Sequence, residues 1–388
     1  MENYDNGIEF KVLEREMDCG VNIKVIGVGG AGGNMINYMI ENCNFASAID
    51  LMIANTDIQD INKSKANKKI QLGPKKTEGR GAGAIPEVGR ISAEEVEDEI
   101  KELLGNNTDL LFIAAGLGGG TGTGAAPVIA KIAKSLGILV VSVVTTPFSF
   151  ERGRGKVALE GLAELKKESD SVIHIQNDKL ITFAPKNLNP KKVFEFVDEI
   201  LAKAVSGIIN VLLEEGDINI DFADFRTVMS HRGIALMGKG EAKGENALYA
   251  AYQNAIDAPL LDCASSDLND AKGVIVFFKY GEKTTFLELT QAMDEIGKSD
   301  DDNKRIFLGC KLSSELEPDV VEVTIIATGF DETMEEKAQI QAEEKRKEEE
   351  KNHKIAQAEI KKVSGGTNKI DYKNRNFDEP AYVRLSQD

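Results

Sequence analysis

Cysteine and histidine are scarce in this 388-residue chain, which has four cysteines (Cys19, Cys43, Cys263 and Cys310) and three histidines (His174, His231 and His353). The cysteines are scattered without a C-x-x-C pair, which argues against a disulfide framework and a zinc site and suits a reducing cytosol. No apolar run approaches the ~20 residues that a membrane-spanning helix needs, and the acidic N-terminus (ENYDNGIEF) is unlike a signal peptide. A cytoplasmic protein without direct membrane insertion is expected. Positive charge is also in deficit: 47 Lys and Arg stand against 64 Asp and Glu, for a formal charge of -17. That balance repels phosphate backbones and speaks against nucleic acid as a partner. A Walker loop, G-x-x-x-x-G-K-[ST], is missing too, which excludes the ordinary P-loop architecture.

Glycine, in contrast, is concentrated where it carries chemistry. Gly116-Leu117-Gly118-Gly119-Gly120-Thr121-Gly122-Thr123-Gly124 follows an apolar segment that reads as a buried strand (DLLFIAA) and precedes helical apolar spacing from Ala125 to Leu136. In a strand, glycine loop, helix layout, the loop amides and the positive end of the helix dipole converge on one point. With no Cβ in the way, an anion reaches the backbone. The two threonines add hydroxyl donors, and the loop is read as a phosphate cradle.

A second loop, Gly27-Val28-Gly29-Gly30-Ala31-Gly32-Gly33-Asn34, satisfies G-x-G-x-x-G after the first predicted strand. Alone it points to a dinucleotide-binding unit and an oxidoreductase, although the acid expected about 20 residues later is only loosely supplied by Asp50. Two cradles on adjacent strands fit a polyphosphate better than a nicotinamide cofactor. Asn368-Lys369-Ile370-Asp371 matches a base-reading N-K-x-D pattern but falls in the polar tail, and is read as chance.

Short apolar strands alternate with helical stretches up to Gln176, which predicts βαβ crossovers and a mostly parallel sheet with helices on both faces. Strands are expected at 23–28, 49–54, 69–72, 110–115, 138–145 and 172–176, with helices at 35–41, 86–104 and 157–167. One long helix follows from Pro190 to about Glu215, ended by Gly216. Beyond it come helices at 222–230, 247–256 and 286–296 and strands at 273–279, 305–312 and 320–327. The fold class is α/β: a Rossmann-like, mostly parallel nucleotide-binding domain, a long central helix and a second α+β domain. The expected division is a flexible arm at 1–20, the nucleotide-binding domain at 21–189, the central helix at 190–216 and the α+β domain at 217–330. A disordered charged linker at 331–376 and a docking peptide at 377–388 complete it.

Gly29 to Asn34, Asn55-Thr56-Asp57, Gly116 to Gly124, Pro147-Phe148-Ser149-Phe150-Glu151 and Asn219-Ile220-Asp221-Phe222-Ala223-Asp224 together resemble the tubulin/FtsZ family, on its bacterial FtsZ side. The resemblance runs in order through nearly all of residues 21–330. It implies a GTPase that polymerises head to tail into filaments and forms a bacterial division ring at midcell. GTP and GDP are the expected ligands, with Mg2+ held mainly by phosphates and water rather than by a protein metal site.

Carried onto this sequence, the resemblance places Gly29, Gly30, Ala31, Gly32, Gly33, Asn34, Asn55, Gly118, Gly119, Gly120, Thr121 and Gly122 around the nucleotide. Gly81, Ala82 and Gly83 belong to a segment that senses the γ-phosphate, although Ile85 stands where the family commonly has Asn and Arg80 offers an alternative charge. Glu151 is implied at the ribose and Asn177 at the base or ribose. After Glu151 this chain reads Arg152-Gly153-Arg154, so either Arg154, the favoured choice, or Arg152 is the nucleotide contact. Phe194 and Asp198 lie four apart on the long helix and so share a face. There the ring can stack on a purine and the carboxylate can accept from guanine N1–H and its amine, which adenine cannot offer. Spacing alone fits a core ring and a solvated acid as well; the resemblance selects the base-reading role.

Asp221 and Asp224 stand at a helix start, where acids are most often caps. They lie beyond the far end of the long helix, so they can reach a γ-phosphate only on a neighbouring subunit, with Asn219 positioning their loop. A regulatory, non-polymerising relative is the alternative that these intact acids oppose. Phe377 to Leu385, around Pro380-Ala381-Tyr382-Val383-Arg384, resembles the family peptide that binds membrane tethers and regulatory division proteins, with Glu379 and Tyr382 as variants of the usual residues.

Overall fold

The computed structural model describes residues 20–43, 49–105, 107–185, 188–258, 271–296 and 304–330. All of them lie in the first of two units into which the chain divides, Met1–Asp331 and Glu332–Asp388. The expected arm (except Gly20), linker and docking peptide lie outside the described residues.

Parallel strands β1 (Ile23–Val28), β2 (Ile49–Asn55), β3 (Lys68–Gln71), β4 (Leu110–Gly116), β5 (Leu139–Thr146) and β6 (Ser171–Gln176) assemble in the order β3-β2-β1-β4-β5-β6. This is the doubly wound order, with its switch point between β1 and β4. Alternating side chains of β4 feed two cores. Leu110, Phe112 and Ala114 join one with α1 (Gly29–Asn42) and α8 (Pro190–Leu213), while Leu111, Ile113 and Ala115 join the other with α5 (Thr121–Ser135). Burial on both faces is why these strands read as unbroken apolar runs.

α8 extends 24 residues, capped by the Asn189 side chain, which accepts from the Lys192 amide at 2.9 Å, with Pro190 in its first turn. Its face of Val197, Leu201, Ala204, Val205 and Ile208 is buried in the core. Truncating Leu201 to Ala would cost roughly 2–5 kcal/mol.

β7 (Ile234–Lys243) joins β6 through two residue pairs only, Val172 with Ile234 and Ile173 with Ala235. The sheet then continues through β10 (Val320–Phe330), β8 (Gly273–Tyr280) and β9 (Arg305–Leu312), for ten strands in all. α9 (Phe222–Met229), α10 (Ala247–Ile256) and α11 (Phe286–Ile296) flank this half.

The structure departs from the sequence-based expectations at several elements. The helix expected at 86–104 is two, α3 (Pro86–Glu95) and α4 (Glu97–Leu104), divided at Val96, whose φ of -117° and ψ of 29° leave the helical region. Glu97, Asp98 and Glu99 in the first turn favour a fresh helix start there. The helix expected from Met35 begins at Gly29, so the glycine motif forms its first turns. Strand β7 has no counterpart among the expected elements, and it contains Gly238 and Gly240. Gly240 is there because α10 crosses it: a Cβ would lie 2.1 Å from the Ala251 carbonyl oxygen. Two short helices, α2 (Ile58–Lys63) and α7 (Asn177–Phe183), were also missed, and α6 (Arg154–Glu168) begins three residues early.

Lys24 is buried at 8% exposure in β1, and its ammonium donates to the Leu103 and Leu104 carbonyls at 3.1 and 2.6 Å. A cation thereby satisfies the C-terminal carbonyls of α4. Burial, followed by repulsion from Lys68, lowers its pKa, and Asp50 opposes that fall. β3, at one sheet edge, is four residues long and exposes Lys68 and Lys69. Among the described residues no helix is long and apolar enough to cross a membrane.

Candidate functional site

The C-terminal ends of β1, β4 and β5 open into a cavity of about 420 Å³, at the place where doubly wound sheets bind ligands. The two glycine loops interlock there. Gly29, at φ 74°, lies so close to the second loop that a Cβ would stand 3.0 Å from the Gly122 amide nitrogen, and one on Gly116 would meet the Ala31 methyl at 2.7 Å. Gly119 shows the opposite arrangement: a Cβ there would touch nothing within 4 Å, so its backbone faces the cavity bare. The amino-terminal turns of α1 and α5 converge on this space, which makes it favourable for a polyanion.

Of the residues read from the sequence, Gly29, Gly30, Ala31, Asn34, Gly119, Gly120, Thr121, Gly122, Glu151, Arg154, Asn177, Phe194 and Asp198 line the cavity. Arg154, not Arg152, faces it, held by Glu151 at 2.9 Å, while Glu151 also accepts from the Phe148 amide at 3.1 Å. Gly32, Gly33, Asn55, Gly81, Ala82, Gly83 and Gly118 are not in its lining. Gly32 instead lets α1 lie on β4, since a Cβ would fall 2.3 Å from the Ala114 carbonyl oxygen. Asn55 is buried and engaged with Asp60 and the Asp57 amide. Ala82 packs behind Gly120, where a Cβ would stand 2.7 Å from its own.

Gly116 and Leu117, which open the predicted phosphate loop, also line the cavity, as do Thr145, Pro147 and Val197, for which the sequence assigns no site role. Thr145 and Pro147 were within reach of sequence reasoning, because they follow the strand that neighbours β4 at the same sheet end.

The far wall is built for a planar base. Phe194, at 46% exposure, stands edge-on to Phe148 with centroids 5.6 Å apart, and Phe148 stacks on Phe150 at 5.1 Å. Burial, reinforced by Glu195, pushes the Asp198 carboxyl up to about 7. The Asn177 side-chain oxygen is buried without a hydrogen-bond partner, at 6% residue exposure. An orphaned acceptor of this kind calls for a ligand donor. A half-buried carboxylate, an unpaired amide oxygen and an exposed ring together suit a purine that presents N–H donors.

The acidic loop lies elsewhere. Asp221 caps α9, accepting from the Asp224 amide at 2.7 Å, and Asn219 accepts from the Gly216 amide at 2.6 Å. Burial and the neighbouring Asp221 raise the Asp224 carboxyl. The loop is fastened to β9: Ile218 and Cys310 exchange backbone bonds at 3.2 and 2.9 Å, and Asp217 accepts from Tyr280 and the Leu312 amide at 2.8 and 2.9 Å. The 24 residues of α8, which places Phe194 and Asp198 at the cavity in its first half, lead to this loop. At a ~1.5 Å rise per residue that helix is about 36 Å long.

Against this geometry, the profile of the Tubulin/FtsZ family, GTPase domain, matches residues 22–185, and that of the FtsZ family, C-terminal domain, matches residues 233–331. FtsZ of M. jannaschii, solved as an empty dimer, is 38% identical over 80% of this chain and 88% of its own, with a TM-score of 0.71. A point mutant of that protein superposes with a TM-score of 0.72 at the same identity, covering 80% of this chain and 92% of its own. CetZ2 from Haloferax volcanii, a GTPγS-bound protofilament, is 19% identical over 85% of this chain and all of its own, with a TM-score of 0.69, and shares the fold. With an FtsZ at that identity along most of both lengths, and with the GTPase-domain profile matched over residues 22–185, the chain belongs to the tubulin/FtsZ family of GTPases.

Proposed function

We propose that this GTPase assembles head to tail into filaments and that GTP is hydrolysed only where two copies meet. The observation that carries this reading is that Asp221 and Asp224 are not in the cavity lining and follow the end of α8, about 22 Å of helix beyond Asp198. In a head-to-tail stack, the acidic loop of one copy covers the cavity of the next. Asp221 and Asp224 then orient and polarise the water that attacks the γ-phosphate. Asn219 holds the turn that presents them, and burial with the neighbouring Asp221 raises the Asp224 pKa.

In the cavity, the loop amides of Gly29, Gly30, Ala31 and Gly119 to Gly122, with the Thr121 hydroxyl, hold the phosphates, while Gly32 serves the packing of α1 on β4. Glu151 and Arg154 meet the ribose and phosphates. Asn177, Phe194 and Asp198 read guanine. Asn34 completes the lining, while Asn55 and the loop of Gly81, Ala82 and Gly83 stand behind it, with Ala82 packed against Gly120. Among the described residues no group of three or more His, Cys, Asp or Glu could cage a cation. We read Mg2+ as held by the phosphates and water, where it would neutralise developing charge. Hydrolysis removes the γ-phosphate from beneath the neighbour's loop and loosens the contact.

Support for self-association comes from the M. jannaschii dimer and the CetZ2 protofilament. A contact of this heterologous kind does not close on itself and grows into a filament. We assign the filament to the bacterial division ring at midcell, with membrane tethers and regulatory division proteins docking on Phe377–Leu385. Light scattering and phosphate release are to be measured together across protein concentrations with GTP, GDP and ATP. Turnover per subunit should collapse below a critical concentration with GTP, and turnover that stays constant on dilution overturns the reading.

A further inference from the structure

Thr56 follows β2 and is completely buried, at 0% exposure. Its hydroxyl has one hydrogen-bond partner among the described residues, the Thr121 hydroxyl at 2.7 Å. Thr121 is the first residue of α5 and lines the cavity. A hydroxyl carries one proton and two acceptor lone pairs. As Thr121 is its one hydrogen-bond partner among the described residues, the buried Thr56 satisfies its donor by giving its proton to Thr121. The Thr121 oxygen is then an acceptor on its buried side, and its own proton is left to point into the cavity. Hydroxyls chained in this direction polarise one another, so the terminal O–H is the stronger donor.

The backbone of the same residue is also engaged. The Thr56 carbonyl accepts from the Gly81 amide at 3.1 Å and shares the single Thr77 hydroxyl proton, at 3.2 Å, with the nearer Gly73 carbonyl at 3.0 Å. Thr56 therefore ties the 77–81 segment to the strand end with its main chain while its side chain sets the direction of a proton in the cradle.

We propose that Thr56 is a positioning residue for nucleotide phosphate: it orients the Thr121 hydroxyl as a donor toward the phosphate and does so without touching the ligand. The inference rests on the reading of the glycine loops as the phosphate site. Thr56→Val removes the proton relay at nearly constant shape, Thr56→Ser keeps it, and Thr121→Val removes the terminal donor.

GDP and guanosine affinities are to be measured for each variant by competition, with thermal melting alongside. Thr56→Val should weaken GDP by roughly three- to tenfold, the scale of one polarised bond to a charged acceptor, and leave guanosine unchanged. Thr56→Ser should restore GDP affinity. The double valine variant should be no worse than Thr121→Val alone, because the two hydroxyls act as one chain. Should the valine variant fail to fold, Thr56→Ala carries the same expectation.

Equal weakening of GDP and guanosine would mean a purely structural role and overturns the inference. Weak GDP binding in Thr121→Val with normal binding in Thr56→Val also overturns it, but leaves the cradle reading intact. Unchanged GDP affinity in Thr121→Val overturns both.

Discussion

Acidification should detach guanine nucleotide through a single carboxyl. Asp198 titrates at about 7 in the empty protein because burial and Glu195 disfavour its charge. Only the ionised form accepts from both guanine N1–H and the exocyclic amine, since a protonated carboxyl offers a donor where guanine presents one. The binding-competent fraction is then about nine-tenths near pH 8 and about one-tenth near pH 6, and apparent affinity scales with that fraction, giving a roughly tenfold loss. That loss is close to ~1.4 kcal/mol, with the slope approaching one decade per pH unit on the acid side. Phosphates have their own titration near ~6, so the assay compares wild type with Asp198→Asn by GDP titration at protein concentrations too low for assembly. The variant should bind weakly, and its pH profile should lack the Asp198 component. Parallel profiles for the two proteins would refute the reasoning.

Stability of the empty protein should respond with the opposite sense. The folded pKa of Asp198 lies above its unfolded value of 3.8, so its contribution is fully present below that value and is lost as pH rises through about 7. Asp198→Asn should therefore melt higher than wild type near pH 8, with the difference closing toward pH 4; a constant difference would show that burial does not tax this charge. Asp224→Ala should still bind GTP and assemble while phosphate release falls about a hundredfold or more, the usual scale for losing a group that handles the proton, and undiminished release would remove Asp224 from catalysis. Lys24→Met leaves the α4 carbonyls without their donor and should cost about 1–3 kcal/mol in chemical denaturation; an unaltered midpoint would show that water replaces the ammonium.

The nucleotide-binding half was legible because its signals are local. Apolar runs such as Leu110 to Ala115 mark doubly buried strands, and glycines at fixed offsets mark the loops between strand and helix. Phe194 and Asp198 could be paired by helical spacing, and the structure brings both to the cavity. Harder to read were features whose cause is distant in sequence. β7 hides because Gly240 answers to α10, and Gly32 resembles a phosphate glycine while serving contact with β4. The break at Val96 follows from charges one residue later competing with an otherwise continuous helical pattern. The Thr56 hydroxyl carries no pattern in the sequence, since its meaning depends on Thr121 being brought beside it.

Blunted margins have a consequence wherever copies of a chain crowd together. An open row of backbone donors and acceptors invites sideways accretion of strands, the route to amyloid-like aggregates. Here one margin is the short, lysine-studded β3, and on the other Ile218 occupies the Cys310 position of β9 as a one-residue cover. Crowding at high local density is thus kept from recruiting the sheet, and the residue that shields its far side belongs to the turn that bears the acids.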